Sequence, residues 1–122
     1  MNFTIPLPPI TKKNSQRIIT NPKTRRPMII PSEPYMEYEK AAAWFIPRIG
    51  PISKPVNVKA IFYMPTRRRV DLVNLEEALL DILVKYELLE DDNCTVVKSM
   101  DGSRVEYDKN NPRTEVEIND AM

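Results

Sequence analysis

Apolar and polar positions change rhythm several times along the 122-residue chain. Residues 55–64 (P-V-N-V-K-A-I-F-Y-M) alternate apolar with polar side chains and stop at Met64-Pro65, which predicts a strand. Shorter stretches predict further strands at residues 2–7, closed by Pro8-Pro9, at 93–100 and at 114–118. A turn-like Asp101-Gly102-Ser103 separates the last two. Residues 32–46 read as a helix with Ser32 or Glu33 near its start and Pro47 ending it. Residues 71–87 form the clearest helical pattern. The order β-α-β-α-β-β predicts an α+β fold: a single small domain spanning 1–122, with two helices packed on one face of a small mixed or antiparallel sheet.

On a helical wheel, Leu72, Leu75, Leu79, Ile82, Leu83 and Tyr86 share one face of the second helix, about 100° wide, suited to docking on the sheet. Val73, Leu80 and Val84 form a second apolar row away from it, and Asp71, Asn74, Glu77, Asp81 and Lys85 a polar stripe. One apolar face suffices for a surface helix. The second row therefore implies a further cover, such as another subunit, and the stripe would then face a cleft. Simpler roles also fit: Asp71 as an N-cap, Glu76 and Glu77 answering the helix dipole.

Residues 10–34 interrupt these rhythms. Pro22, Pro27, Pro31 and Pro34 deny regular helix there, and a long excursion of this kind is usually functional or mobile. A hairpin around Ile18-Ile19 and residues 28–30 fits the pattern.

Composition removes whole classes of chemistry. The chain has no histidine and one cysteine, Cys94, so His-based nucleophilic triads, imidazole or multi-thiolate zinc sites and an internal disulfide are excluded. Two glycines cannot build a phosphate-cradling loop. No apolar run is long enough for a membrane span and no signal-peptide core opens the chain, so a cytoplasmic setting without membrane partners is expected. Cys94 reads as a small buried residue at a strand start.

The net charge of +1 conceals a sharp division. Residues 1–32 carry Lys12, Lys13, Arg17, Lys23, Arg25 and Arg26 and no acid. Residues 70–92 carry eight acids against Lys85 alone. A basic region followed by an acidic block suits a protein that holds a polyanion with one part and a metal ion with another. Arg67, Arg68 and Arg69 stand immediately before Asp71 and would bind phosphate, although an arginine run can also be plain solvated loop. Asp91 and Asp92 follow the helix as adjacent carboxylates in a stretch that also has turn chemistry. Mg²⁺ asks for one or two carboxylates plus phosphate and water. A helix of 17 residues is about 25 Å long, so Asp92 reaches Asp71 only if the next strand runs back along the helix, or from a second subunit.

The stretch M-P-T-R-R-R-V-D-L-V-N-L (64–75) followed by L-L-E-D-D (88–92), with Pro8-Pro9 and Lys13-Asn14-Ser15 before Arg17, resembles the RusA family of Holliday junction resolvases. The resemblance implies a homodimeric endonuclease, often phage- or prophage-borne, that acts in DNA recombination and repair. Such enzymes nick four-way DNA junctions symmetrically with Mg²⁺ or Mn²⁺. It implies metal binding by Asp71 and Asp92 with Asp91, catalytic roles for Asp71, Asp92, Asn74 and Glu77, and DNA contacts through Lys12, Lys13, Arg17, Arg67, Arg68 and Arg69.

The family pattern Asp-x-Asp-Asn-x-x-Lys is broken twice, by Val73 at the second Asp and Glu77 at the Lys. Two accounts follow. The site is rewired, with Glu77, or Asp81 or Asp101, supplying the lost carboxylate, or the protein binds branched DNA and no longer cuts it well. The charge pattern favours the first, because Glu77 restores the acid count and shares the stripe of Asn74 and Asp81.

Overall fold

The computed structural model describes residues 1–12 and 16–121, and for residues 16–19 and 29–31 the backbone alone. The elements in order are β1 (Asn2–Ile5), β2 (Gln16–Thr20), β3 (Pro27–Pro31), α1 (Glu33–Ala42), a 3₁₀ turn (Ala43–Phe45), β4 (Val56–Met64), α2 (Leu72–Lys85), β5 (Val97–Ser99), β6 (Arg104–Tyr107) and β7 (Arg113–Asp120). The predicted α+β class holds, with two helices and a mixed sheet.

β4 is the spine. Its alternation buries Val56, Val58, Ala60 and Phe62 beneath Leu75, Leu79, Ile82 and Leu83 of α2 in one continuous core. β7 pairs antiparallel with it, Val58 opposite Ile118 and Phe62 opposite Thr114. On its other side β7 pairs antiparallel with β1, Phe3 opposite Val116 and Ile5 opposite Thr114. Along the opposite edge of β4 lie two short parallel strands, β5 against Val56 and Asn57 and β6 against residues 61–64. Between them the chain turns at Asp101-Gly102-Ser103, and side chains fill the gap in the ladder. Ser103 Oγ accepts from the Ala60 amide at 3.0 Å, and Asn57 Oδ1 accepts from Ser99 Oγ (2.6 Å) and the Asp101 amide (2.8 Å). Gly102 turns there at φ +88°, a left-handed conformation suited to glycine.

α1 begins as expected. Ser32 is the N-cap, its Oγ accepting from the Tyr35 amide at 3.3 Å, with Pro34 in the first turn. The α-helix is shorter than 32–46 because its last residues tighten into the 3₁₀ turn, which leaves Trp44 largely exposed. The hairpin within the basic excursion is present as β2 and β3, Gln16 opposite Pro31 and Thr20 opposite Pro27.

Three expectations are corrected. β6 adds a strand that the residue pattern does not predict, because Arg-Val-Glu-Tyr carries little apolar signal and its pairing comes from the free edge of β4. The strand expected at 93–100 begins only at Val97. Asn93 starts a turn instead, its carbonyl accepting from the Val96 (3.0 Å) and Val97 (2.8 Å) amides and its Oδ1 from the Thr95 amide (3.0 Å). Cys94 lies in that turn and is exposed, not buried.

The second apolar row of α2 divides. Leu80 and Val84 pack partly against the chain's own core, whereas Val73 is 70% exposed.

Candidate functional site

β4 delivers the chain to the arginines. It ends at Met64, Pro65 breaks the ladder, and Thr66 Oγ1 accepts from the Arg68 amide at 3.4 Å, turning the chain toward α2. Arg67, Arg68 and Arg69 are exposed in this turn, and no described carboxylate lies within ion-pair reach of any of them. The Arg67 guanidinium instead lies over the Tyr107 ring, 4.2 Å from its centroid. Three cations without acidic partners among the described residues are suited to an outside anion.

Asp71 sits at the N-cap of α2 with extended backbone, yet its side chain makes no capping bond. Its Oδ2 accepts from Asn74 Nδ2 at 3.2 Å, one turn into the helix. The simple capping role is therefore not the one this carboxylate performs. Asn74 orients it while both groups stay near the surface, directly after the arginines. Val73 beside them offers no ligand atom, and Glu77 continues the stripe one turn further.

A second cluster lies toward the other end of α2. Lys12 Nζ stands 3.8 Å from Asp81 Oδ2, and together with Tyr35, Glu39, Lys85 and Asp92 they line one hollow. Glu39 pairs with Lys85. Partial burial raises the Asp81 carboxyl; Lys12 draws it back down, while Glu77, Asp92 and Glu39 push it up in turn. The hydroxyl of Tyr35, whose side chain is almost wholly buried, is also raised, first by burial and then by Glu39 and Asp81. Tyr35 and Glu39 are one turn apart on α1, which puts both on the face that meets α2.

The two adjacent aspartates differ. Asp91 is occupied by the turn itself, accepting from the Asp92 amide (2.7 Å) and from Asn93 Nδ2 (2.9 Å). Asp92 lines the hollow with Asp81.

The candidate residues thus fall into two groups. Arg67, Arg68, Arg69, Asp71 and Asn74 gather at the N-terminal end of α2, and Lys12, Asp81 and Asp92 toward its C-terminal half. Asp81 lies ten positions after Asp71, about 15 Å of helical rise, and no described contact joins Asp71 to Asp91 or Asp92. Among the described residues no three His, Cys, Asp or Glu side chains come close enough to cage a metal ion. Pairs of carboxylates are present, and a pair with phosphate and water is the usual demand of Mg²⁺. Lys13 lies outside the described residues, as does the side chain of Arg17.

A family model described as endodeoxyribonuclease RusA matches residues 6–119, nearly the whole chain. The chain belongs to the RusA family. No curated protein matches it in a sequence search. Membership in the RusA family implies endodeoxyribonuclease chemistry.

Within this RusA chain, reading the sequence missed Tyr107 and Glu39. Tyr107 gave no signal, since it meets Arg67 only through the pairing of β6 with β4. Glu39 carried one, its one-turn spacing from Tyr35.

Proposed function

We propose that this RusA-family chain resolves four-way DNA junctions as a Mg²⁺- or Mn²⁺-dependent endonuclease, a homodimer hydrolysing paired, symmetric phosphodiesters. The observation that carries the reading is the family match over residues 6–119. Asp71 and Asp92 would hold the divalent ion, with help from Asp91 or Glu77. When bound, the ion supplies an activated water and positive charge at the phosphate. Asn74 holds the Asp71 carboxylate in place. Arg67, Arg68 and Arg69 bind the phosphate and offset charge as it builds. Lys12, Lys13 and Arg17 neutralise phosphates on the junction arms.

Since α2 separates Asp71 from Asp92 within one chain, a site that uses both is completed across a twofold axis, Asp71 of one subunit with Asp92 of the other. Two such sites would face opposite strands.

The second reading is a junction-binding protein without cutting activity. Val73 favours it, standing exposed and without a ligand atom where the family pattern has an acid.

One assay separates them: a synthetic four-way junction and a linear duplex, each incubated with Mg²⁺, Mn²⁺ or EDTA. Metal-dependent nicking that disappears in Asp71→Asn supports the enzyme. Junction-selective binding without nicks in any metal favours the second reading, and equal treatment of junction and duplex overturns both.

A further inference from the structure

Among the described residues, two arginines hold the guanidinium over a tyrosine ring. Arg113 lies 3.8 Å from the centroid of Tyr63. Three of its five N–H donors are used within the protein: Nε donates to Glu115 (2.8 Å), and Nη1 donates to Asp108 (2.9 Å) and to the Asn111 carbonyl (2.9 Å). That stack belongs to the protein's own scaffold. Arg67 lies over Tyr107 in a similar way, but no hydrogen bond or ion pair to a described residue uses its edge. Both acids that flank Tyr107 are taken, Glu106 by Arg104 Nε at 2.8 Å and Asp108 by Arg113 Nη1 at 2.9 Å.

This difference has a chemical meaning. Stacking uses the face of a guanidinium, whereas its five N–H donors radiate in the plane. A ring beneath Arg67 restricts the side chain without consuming a donor. A neutral partner also leaves the full positive charge for an incoming anion, which a carboxylate would not. The ring is firmly placed, because Tyr107 pairs with Met64 at the end of β6 and the next amide, of Asp108, donates to the Met64 carbonyl at 2.9 Å. Arg67, Thr66 and Arg68 wall a shallow hollow with Tyr107, three residues from Asp71.

We propose that Tyr107 is a positioning residue that holds the Arg67 guanidinium edge-outward for a backbone phosphate of the DNA. The assignment rests on the DNA-binding reading above and deepens it. Among the three consecutive arginines it gives Arg67 the preorganised contact, and it gives β6 a function.

The test is binding of a labelled four-way junction in EDTA, measured by fluorescence anisotropy over a range of salt concentrations. The proteins are wild type, Tyr107→Leu, Tyr107→Phe, Arg67→Ala and Tyr107→Leu/Arg67→Ala, each checked by thermal melting. Tyr107→Leu is expected to weaken binding about two- to fivefold, the worth of one exposed cation–π contact, with the salt slope unchanged. Tyr107→Phe, which keeps the ring, is expected to bind as wild type. Arg67→Ala should lower the salt slope by about one, and adding Tyr107→Leu to it should cost nothing more. Wild-type affinity in Tyr107→Leu, the same loss whether or not Arg67 is present, or weakened binding by Tyr107→Phe each overturns the positioning role alone. If Tyr107→Leu does not fold, an unchanged salt slope in Arg67→Ala overturns it. Failure of the wild type to bind the junction at all overturns the DNA reading together with it.

Discussion

Asp71 occupies a helix N-cap and does not cap. Its carboxylate is held by Asn74 in the next turn, so the fold loses little when it is changed. Substitution of a working cap by alanine costs about 1 kcal/mol. Asp71→Ala is therefore expected to lower stability by less than ~0.5 kcal/mol in urea unfolding while abolishing metal-dependent nicking. A full capping penalty would return Asp71 to a structural role. Asp81 behaves differently. Its carboxyl is raised by burial, so the folded state binds that proton more tightly than the unfolded chain, and stability falls as pH rises from the ordinary aspartate range through the raised value. Asp81→Asn should remove this fall, leaving a melting temperature at neutral pH equal to or above wild type. Lys12→Met should raise the Asp81 carboxyl further, measured by carboxyl NMR titration. At Val73 the two accounts of the broken motif diverge: if the site is rewired, Val73→Asp leaves junction cutting about as it was, whereas a large gain would show a ligand simply missing. The charges and acids that make up these positions were readable from residue types alone. Their pairing was not, because Asp91 and Asp92 are chemically identical in sequence and only the turn at Asn93 decides which is occupied.

Most elements were readable because period and punctuation agree. β4 alternates and ends at a proline, α2 carries a continuous apolar stripe, and α1 opens on Ser32. Ser32→Ala is expected to cost about 1 kcal/mol of stability by denaturant unfolding, since the Ser32 hydroxyl is the cap seen at α1. What escaped the sequence are features made by contact between elements. β6 exists because β4 has a free edge, and its four residues carry no pattern of their own. The segment after α1 is held in the same manner. Ile52 donates its amide to the Leu88 carbonyl (2.8 Å) and accepts from Glu90 (2.9 Å), while Gly50 passes directly over the end of α2. A Cβ at residue 50 would lie 2.3 Å from the Glu87 carbonyl oxygen and 2.6 Å from that of Leu88, both backbone atoms that cannot swing aside. Gly50→Ala should therefore destabilise by about 1–3 kcal/mol, and thermal melting would detect it. By contrast Leu83→Ala, in the fully buried stripe, should cost about 2–5 kcal/mol.

For the whole protein, the candidate groups divide along α2. Arginines and Asp71 stand at one end, and Asp92 and Asp81 toward the other. The proposed dimer would join these ends across subunits, and complementation can test that. Asp71→Asn and Asp92→Asn chains are each expected to be inactive. Mixed and allowed to exchange subunits, they would rebuild one intact site per heterodimer and release single nicks. Silence from the mixture would mean that the two carboxylates do not share a site. The second apolar row (Val73, Leu80, Val84) does not by itself argue for another subunit, since Leu80 and Val84 pack partly against the chain's own core.

β7 lies between β1 and β4, yet it follows every other described strand in chain order. Residues 2–5 must wait for residues 114–117, and the Met1 amine donates to the Ile118 carbonyl, 117 positions away. No sheet joining β1 to the rest can assemble until residues 113–120 have been made. Until then β1 and β4 each present an unpaired edge, the state most open to aggregation. Folding is thus expected to be limited by one long-range closure, slow for a chain of this size. A stop codon before Arg113 should give a product that binds hydrophobic dye and is rapidly degraded, even though every arginine of the 67–69 run and every carboxylate of the candidate site is still present.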